Sequence, residues 1–553
     1  MVWRSRFVEA AKAHPVTFAI LAAGFLLVMV AMFFYLSGFI KQNIMGEAFY
    51  DFQFPYRNSF SEGWKIFFEE RIRSRLMHGV LVSALYHGFG FNPPAFYLAA
   101  FFLIIGAAIF ATLSLRFYLK SPWIAAMLVA AFTWMPLNIP DLISLKKIHH
   151  ALAWFAFWLA VFLWQKWVGK RRTGWLFAAT FAFLISVLAY EVAIALLPVA
   201  VLLSLPKLKE GKDFLRNLGL VIWITLLSGL AFLNLESLKP YSGAESVYAA
   251  GGWDIGILLA NALSFLPRLP STIWSSGLLE AGTWLRITAQ IIIAASFVLG
   301  ILALWNTFHG NRKGLRDKYL ALIVSGIWLA IGGYLPYILA GQGPDSDGLR
   351  GAAFGVLIVA LAAGSWIAQQ KRERLGSLFV SVVCIFWVVA GISVYSQEIL
   401  ASKQDDLVLR NVVITLKQQV PDVADGSNFI FVNSGLGRTG CIGFVNMLYD
   451  KANLHCIHLL SGDTQESYTR TEGGLLETGD RLWPNRFIIV TFDNLGKVTL
   501  INELDADDYS DLPLTWGVSD PLRTNRSLIY EAVYNFGRNF DFYEYMVNQS
   551  SGH

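Results

Sequence analysis

Residues 94–115 read PAFYLAAFFLIIGAAIFATLSL, a run without a single charge that is closed by Arg116. A helix needs roughly 20 apolar residues to cross the hydrocarbon core of a bilayer. The run is therefore read as a spanning helix, and the reading decides the fold because the pattern recurs along the chain. Comparable segments lie at about 16–40, 122–138, 148–165, 174–189, 191–206, 217–234, 285–305, 319–341, 351–369 and 376–396, which makes about eleven spans. The stretch 174–206 is too long for one crossing and is read as a tight hairpin at Tyr190–Glu191. Residues 16–40 are too long for the apolar core of a cleavable signal, so the first helix is expected to be a retained anchor.

Composition agrees with this. Of 553 residues, 55% are hydrophobic and 15% charged, against roughly 25% charge in a soluble domain. A single soluble enzyme, a disordered chain and collagen are all excluded. The net charge of +5 is not a nucleic-acid footprint, because the basic residues sit at the ends of apolar runs rather than in one stripe. Three cysteines suggest neither a disulfide scaffold nor a zinc site.

Lysine and arginine orient the chain. With the N-terminus inside, the inside segments hold 20 basic residues in 61 positions, and the outside segments hold 24 in 265. This strong positive-inside bias puts the C-terminus outside. The expected architecture is a polytopic α-helical membrane domain, 1–396, followed by a small extracytoplasmic α/β domain, 397–553. In the latter, 398–419 reads as a helix ended by Pro421 and Gly426, and Asn428-Phe-Ile-Phe-Val and Arg486-Phe-Ile-Ile-Val-Thr-Phe read as buried strands. Two further outside loops, 41–93 and 235–284, are long enough to carry chemistry. Within the first, 77–91 is apolar but too short to span and reads as an interfacial helix.

The scarce charges outside the inner face are the candidate sites. Glu47 and Asp51 follow the first helix at a spacing that shares one helical face. There a carboxylate can take a proton from an acceptor hydroxyl or bind a metal; the alternative is a solvated loop. Lys146, Lys147, His149 and His150 lie on the outside, against the orientation rule, and suit an anionic head group such as a phosphate; the alternative is interfacial snorkelling. Adjacent histidines on a helix point in different directions, so a two-histidine metal site is weakly supported. Glu191, at the hairpin tip, is costly between apolar segments unless it is paired or lines a cavity. Arg350 follows Asp345 and Asp347 in a Gly/Pro loop and could clamp a phosphate in bidentate fashion. Cys441 and Cys456 share the outside domain, where oxidising conditions favour a disulfide, whereas Cys384 falls mid-membrane and reads as packing. Asn433-Ser-Gly-Leu-Gly-Arg-Thr-Gly440 looks like the arginine loop of tyrosine phosphatases, but Val432 stands where the nucleophilic cysteine belongs.

Taken in order, several features resemble the GT-C superfamily of membrane glycosyltransferases, with a layout like that of protein mannosyltransferases. They are a first helix, an outside loop with early acids (Gly46-Glu47 to Asp51), the stretch Leu76-Met-His-Gly-Val-Leu-Val-Ser-Ala-Leu-Tyr-His-Gly-Phe-Gly-Phe, then Asn92-Pro-Pro-Ala-Phe-Tyr opening the next span, and short paired helices up to Tyr190-Glu191. The likeness is one of layout and covers the membrane part, about two thirds of the chain. It implies a polyprenyl-phosphate-linked sugar donor, with Asp51 or Glu47 as the base or metal ligand and a glycan, lipid or protein acceptor. The family often has adjacent acids here, whereas three residues stand between these two. The Trp-Trp-Asp signature of the oligosaccharyltransferase branch is absent, which favours a metal-independent mechanism. No cofactor is certain, and a divalent metal stays open. Lys146, Lys147, His149, His150, Arg350 and Glu191 are the residues expected around the donor phosphate, on the charge argument alone. Two rivals stand beside this reading: a polymerase or ligase of lipid-linked oligosaccharide, and a non-catalytic subunit docking membrane partners through 397–553. A transporter fits less well, since the spans hold few polar residues.

Overall fold

A computed structural model of the chain describes residues 12–37, 51–52, 55–56, 58–70, 75–135, 145–208, 211–237, 283–309, 313–333, 349–370, 372–425, 427–432, 440–451, 454–459, 486–492 and 495–505. The elements in the first half are α1 (Pro15–Leu36), α2 (Phe60–Glu70), α3 (Leu76–Phe89), α4 (Pro93–Leu115), α5 (Pro122–Thr133), α6 (Ile148–Lys170), α7 (Thr173–Ala189), α8 (Ala193–Leu196) and α9 (Pro198–Leu202). They are followed by α10 (Gly211–Ser237), α11 (Thr283–His309), α12 (Lys313–Gly332), α13 (Leu349–Gln369) and α14 (Glu373–Gln419). Among the described residues, six stretches are long and apolar enough to cross a bilayer: Pro15–Leu36, Pro93–Leu115, Ile148–Lys170, Lys212–Leu230, Ile287–Asn306 and Glu373–Gln397. The chain is a multi-pass helical membrane protein.

Of the other expected spans, three are short or broken, whereas 319–341 and 351–369 fall on α12 and α13, of 20 and 21 residues. Helix α5 has 12 residues and α7 has 17, and 191–206 is divided into α8, α9 and a 3-10 turn at Leu205–Lys207. Pro198, which has no N–H to donate, opens α9. Helix starts are marked locally. Asn92 accepts from the Ala95 N–H and Ser121 from the Ile124 N–H, each followed at once by proline in the first turn.

Aromatic rings of α5, α6 and α13 meet in the core. Trp154 of α6 stacks on Phe354 of α13 at 5.0 Å, and Phe354 stacks on Phe132 of α5 at 4.9 Å. Close approach depends on glycine in the later helices. A Cβ on Gly355 would strike the Gly326 carbonyl of α12, and one on Gly391 would strike the Trp134 carbonyl. Small residues that let helix backbones touch are a usual device in membranes, where no hydrophobic force draws helices together.

Helix α14 differs from expectation. The sequence reading ends a span at 396 and starts a separate helix at 398, but the structure has one continuous helix of 47 residues. No proline or glycine stands between Ile392 and Gln419, so nothing stops it before Pro421. At 1.5 Å per residue the helix is about 70 Å long, more than twice a bilayer core. The division at 396/397 thus falls inside a rigid rod. The rod ends against a four-stranded sheet of order β2-β1-β3-β4, built from β1 (Asn428–Val432), β2 (His455–Leu459), β3 (Arg486–Phe492) and β4 (Val498–Asp505). Strand β1 is parallel to β2 and β3, and β3 is antiparallel to β4. Helix α15 (Gly440–Tyr449) makes the crossover from β1 to β2. Asn411 donates to the Leu495 carbonyl at 2.7 Å, and the Val498 N–H donates to the Thr415 hydroxyl at 3.1 Å, which ties sheet to rod. Gly496 has φ +77° and lies against the Val408 backbone, where any side chain would collide. Cys441 and Cys456 are joined in a disulfide that fastens α15 to β2. Cys384 is buried in α14.

Candidate active site

At one end of α4 and α6 several ionisable side chains converge below the surface. Asp51, His78, His149 and His150 are each no more than 3% exposed. Burying polar groups is unfavourable unless they satisfy one another, so their convergence is informative.

Asp51 is held by its neighbour. Phe52 is fully buried and stacks on Phe96 of α4 at 4.7 Å, which fixes the Asp51 backbone at the mouth of α4. The Asp51 Oδ2 lies 3.5 Å from His78 Nε2. His78 is in the first turn of α3, and Arg75 immediately precedes that helix. Positions three apart share a helix face, so one short segment supplies both a guanidinium and an imidazole.

The other half comes from α6 and the α7–α8 junction. His149 opens α6 and stacks on His78 with ring centroids 4.4 Å apart. Arg75 Nη1 lies 3.3 Å from His149 Nε2. Arginine can only donate, so this nitrogen accepts and the His149 proton sits on Nδ1. His150 turns the other way and packs against Tyr190 at 4.2 Å. Helix α7 ends at Ala189, and Tyr190 takes an extended backbone as the cap. That break aims Glu191 at Arg75, where Oε1 and Oε2 accept from Nη2 at 2.8 Å and Nε at 3.1 Å. The guanidinium carbon is also 5.2 Å from the Tyr190 ring centroid. A bidentate fork with a ring above it leaves Arg75 little freedom.

The result is a contact relay, Glu191–Arg75–His149–His78–Asp51. Its two carboxylates are at the ends, with a guanidinium and two stacked imidazoles between. It can hold a proton near Asp51, and it keeps a fixed guanidinium near the histidines.

The sequence candidates fall unevenly on this site. Asp51, His149, His150 and Glu191 are brought together, although the sequence reading placed them in three unrelated clusters. Glu191 serves as the partner of Arg75 rather than standing towards a phosphate of its own. Lys147 stands half-buried at the start of α6. Lys146 lies in the 3-10 turn Leu145–Lys147 and Arg350 in the first turn of α13, with both side chains outside the described set. Glu47, Asp345, Asp347 and the glycine-rich loop 433–439 also lie outside the described residues. Arg75 and His78 were missed. The available signal was an i, i+3 cation and imidazole opening an otherwise apolar helix, a place where each is costly without a role. Among the described residues no three His, Cys, Asp or Glu side chains are grouped to hold a metal ion.

No family model matches the chain, and no curated protein is significantly similar to it.

Proposed function

We propose that the protein is a glycosyltransferase of the GT-C type, moving a sugar from a polyprenyl-phosphate-linked donor to an acceptor on the outer face of a cell (plasma) membrane. The observation that carries this reading is the buried Asp51–His78 pair with a fixed arginine behind it, at the membrane end where the charge bias places the outside. In the reaction Asp51 removes the acceptor hydroxyl proton. The acceptor oxygen then bonds to the anomeric carbon from the face opposite the lipid phosphate, the carbon–phosphate oxygen bond breaks, and the configuration inverts. Negative charge gathers on the departing lipid phosphate, and Lys147 and the His149–His150 end of α6 are the groups that meet it. Glu191 is a positioning residue that holds Arg75 against His149. The sheet at the end of α14 lies outside the membrane in this orientation and suits acceptor or partner binding.

The test is turnover of labelled polyprenyl-phosphate sugars by purified protein. The Glu47→Gln/Asp51→Asn double variant is expected to lose activity by about 10²–10⁴-fold, the usual contribution of a general base, while still folding. Full activity in that variant ends the assignment. Product length on a gel separates single transfer from polymerisation.

A second reading has one observation in its favour: Arg75 and Glu191 satisfy each other, as structural staples do. On that reading the cluster ties α3, α6 and the α7–α8 junction together in a non-catalytic subunit of a membrane assembly. Replacing both members with apolar residues of similar size would then leave function intact.

A further inference from the structure

The opposite end of the same helices carries a second cluster, which brings together four cations from the described residues. Helix α4 ends at Leu115, next to Arg116 and Phe117, and α6 carries Lys166 near its end. From His149 to Lys166 is 17 residues, so this cluster lies about 25 Å along α6 from the relay. Phe117 is 41% exposed. Lys207, from the 3-10 turn after α9, places Nζ 5.9 Å from the Phe117 ring centroid, and Lys318 of α12 places Nζ 4.7 Å from it. Arg116 is close enough to Lys166 and Lys207 to repel both.

Elements distant in sequence therefore bring four cations to one end of the bundle, two of them over one exposed ring. The framework beneath them is fixed. Tyr118 and Gln165, the neighbours of Phe117 and Lys166, both donate to the Leu203 carbonyl, at 2.9 and 3.4 Å. On the neighbouring helix α10, Asp213 bonds Arg171 and Arg216. Among the described residues none of the four cations is ion-paired. Burial and the charges of Arg116 and Lys166 push the Lys207 amine down to about 8. A cluster of like charges at the end of a helix bundle is stabilised by an anion lying between them.

We propose that Arg116, Lys166, Lys207 and Lys318 form a binding site for the phosphate headgroup of an anionic membrane lipid, with Phe117 as its apolar floor. The cations lie at the ends of membrane helices, where headgroup phosphates are, and basic pockets between helices on this face suit such lipids. The site is independent of the transfer chemistry at the other end.

The test uses the full-length protein in nanodiscs of phosphatidylcholine, with and without phosphatidylglycerol, and reads thermal unfolding. Wild type is expected to melt about 3 °C higher with phosphatidylglycerol, a rise of the order a well-occupied site produces in a chain of this size. The K207Q/K318Q variant should lose the rise, and K207R/K318R should keep it. If the double glutamine variant does not fold, K318Q alone should reduce the rise. Lys12→Gln, an exposed cation outside the cluster, should leave it unchanged. An undiminished rise in the glutamine variants overturns the site. An equal loss in Lys12→Gln also overturns it, because surface potential alone would then explain the effect. The same rise on adding inorganic phosphate to phosphatidylcholine discs overturns the lipid source.

Discussion

Helices α4 and α6 end in two clusters built on opposite principles. At one end Asp51, Glu191, Arg75 and three histidines mix both signs, and the charges close on each other within 2.8–3.5 Å. At the other end Arg116, Lys166, Lys207 and Lys318 are all positive, and Lys207 and Lys318 lie over an exposed phenylalanine. A mixed cluster can be buried, because each charge loses water but gains a partner. A single-sign cluster stays at the rim, half in water, and leaves its field available to something outside the chain. The first arrangement suits proton movement and the second suits anion binding.

Breaking the mixed cluster should have the largest effects. In the Asp51→Asn variant donor turnover is expected to fall about 10²–10⁴-fold with the melting temperature retained. An equal loss of stability would mean that Asp51 holds the fold instead. Arg75→Met should destabilise by about 3 kcal/mol in a denaturation assay, because the Glu191 carboxylate, largely withdrawn from water, loses its bidentate guanidinium. Adding Glu191→Leu should recover most of that, while a catalytic role predicts that activity does not recover with it.

The single-sign end should respond to pH. Lys207 titrates near 8 when folded, below about 10.4 when unfolded. Between those values the unfolded chain binds more protons, so stability rises as pH increases from about 8 to 10. Below pH 8 both states are protonated and the penalty is constant. Lys207→Gln should flatten the rise in melting temperature measured in phosphatidylcholine discs.

The smallest effect is expected away from both ends. The Ser59 hydroxyl and N–H both bond Glu62 Oε2, at 2.7 and 3.3 Å, and the Glu62 N–H returns to the Ser59 hydroxyl at 3.4 Å. This capping box starts α2 and holds the Glu62 carboxyl below its ordinary range. Its contribution is present at neutral pH and is lost as pH falls through that lowered value. Ser59→Ala should speed amide exchange in the first turn of α2 and leave both clusters unaffected.

Much of the fold is local and therefore readable. The run 94–115 became Pro93–Leu115 within one residue, because length and apolar content are sums over neighbouring positions. Segment 191–206 was harder. Its average is apolar, but Pro198 and the extended Tyr190 break it into pieces. Helix α14 departs in the opposite sense: 376–396 and 398–419 read as two helices, but no helix breaker stands between them and one helix runs through both, with its apolar part ending at Gln397. In the site, Asp51, His149, His150 and Glu191 were each conspicuous as charge or imidazole at an apolar border. Arg75 and His78 were not, since Arg75 closes the basic run Arg71-Ile-Arg-Ser-Arg75, and basic residues beside an apolar stretch are commonplace.

By itself the sequence determined the solvent of this protein, the apolar character of its helices and the inventory of scarce charges, because hydrophobic length and charge density add up along the chain. Only the tertiary structure decided which charges meet. Arg75 finds Glu191 across 116 residues and His149 across 74, and Lys207 reaches Phe117 across a membrane-length return of the chain. Coulombic and hydrogen-bond energies fall off over a few ångströms in space, and no pattern along the sequence records that distance.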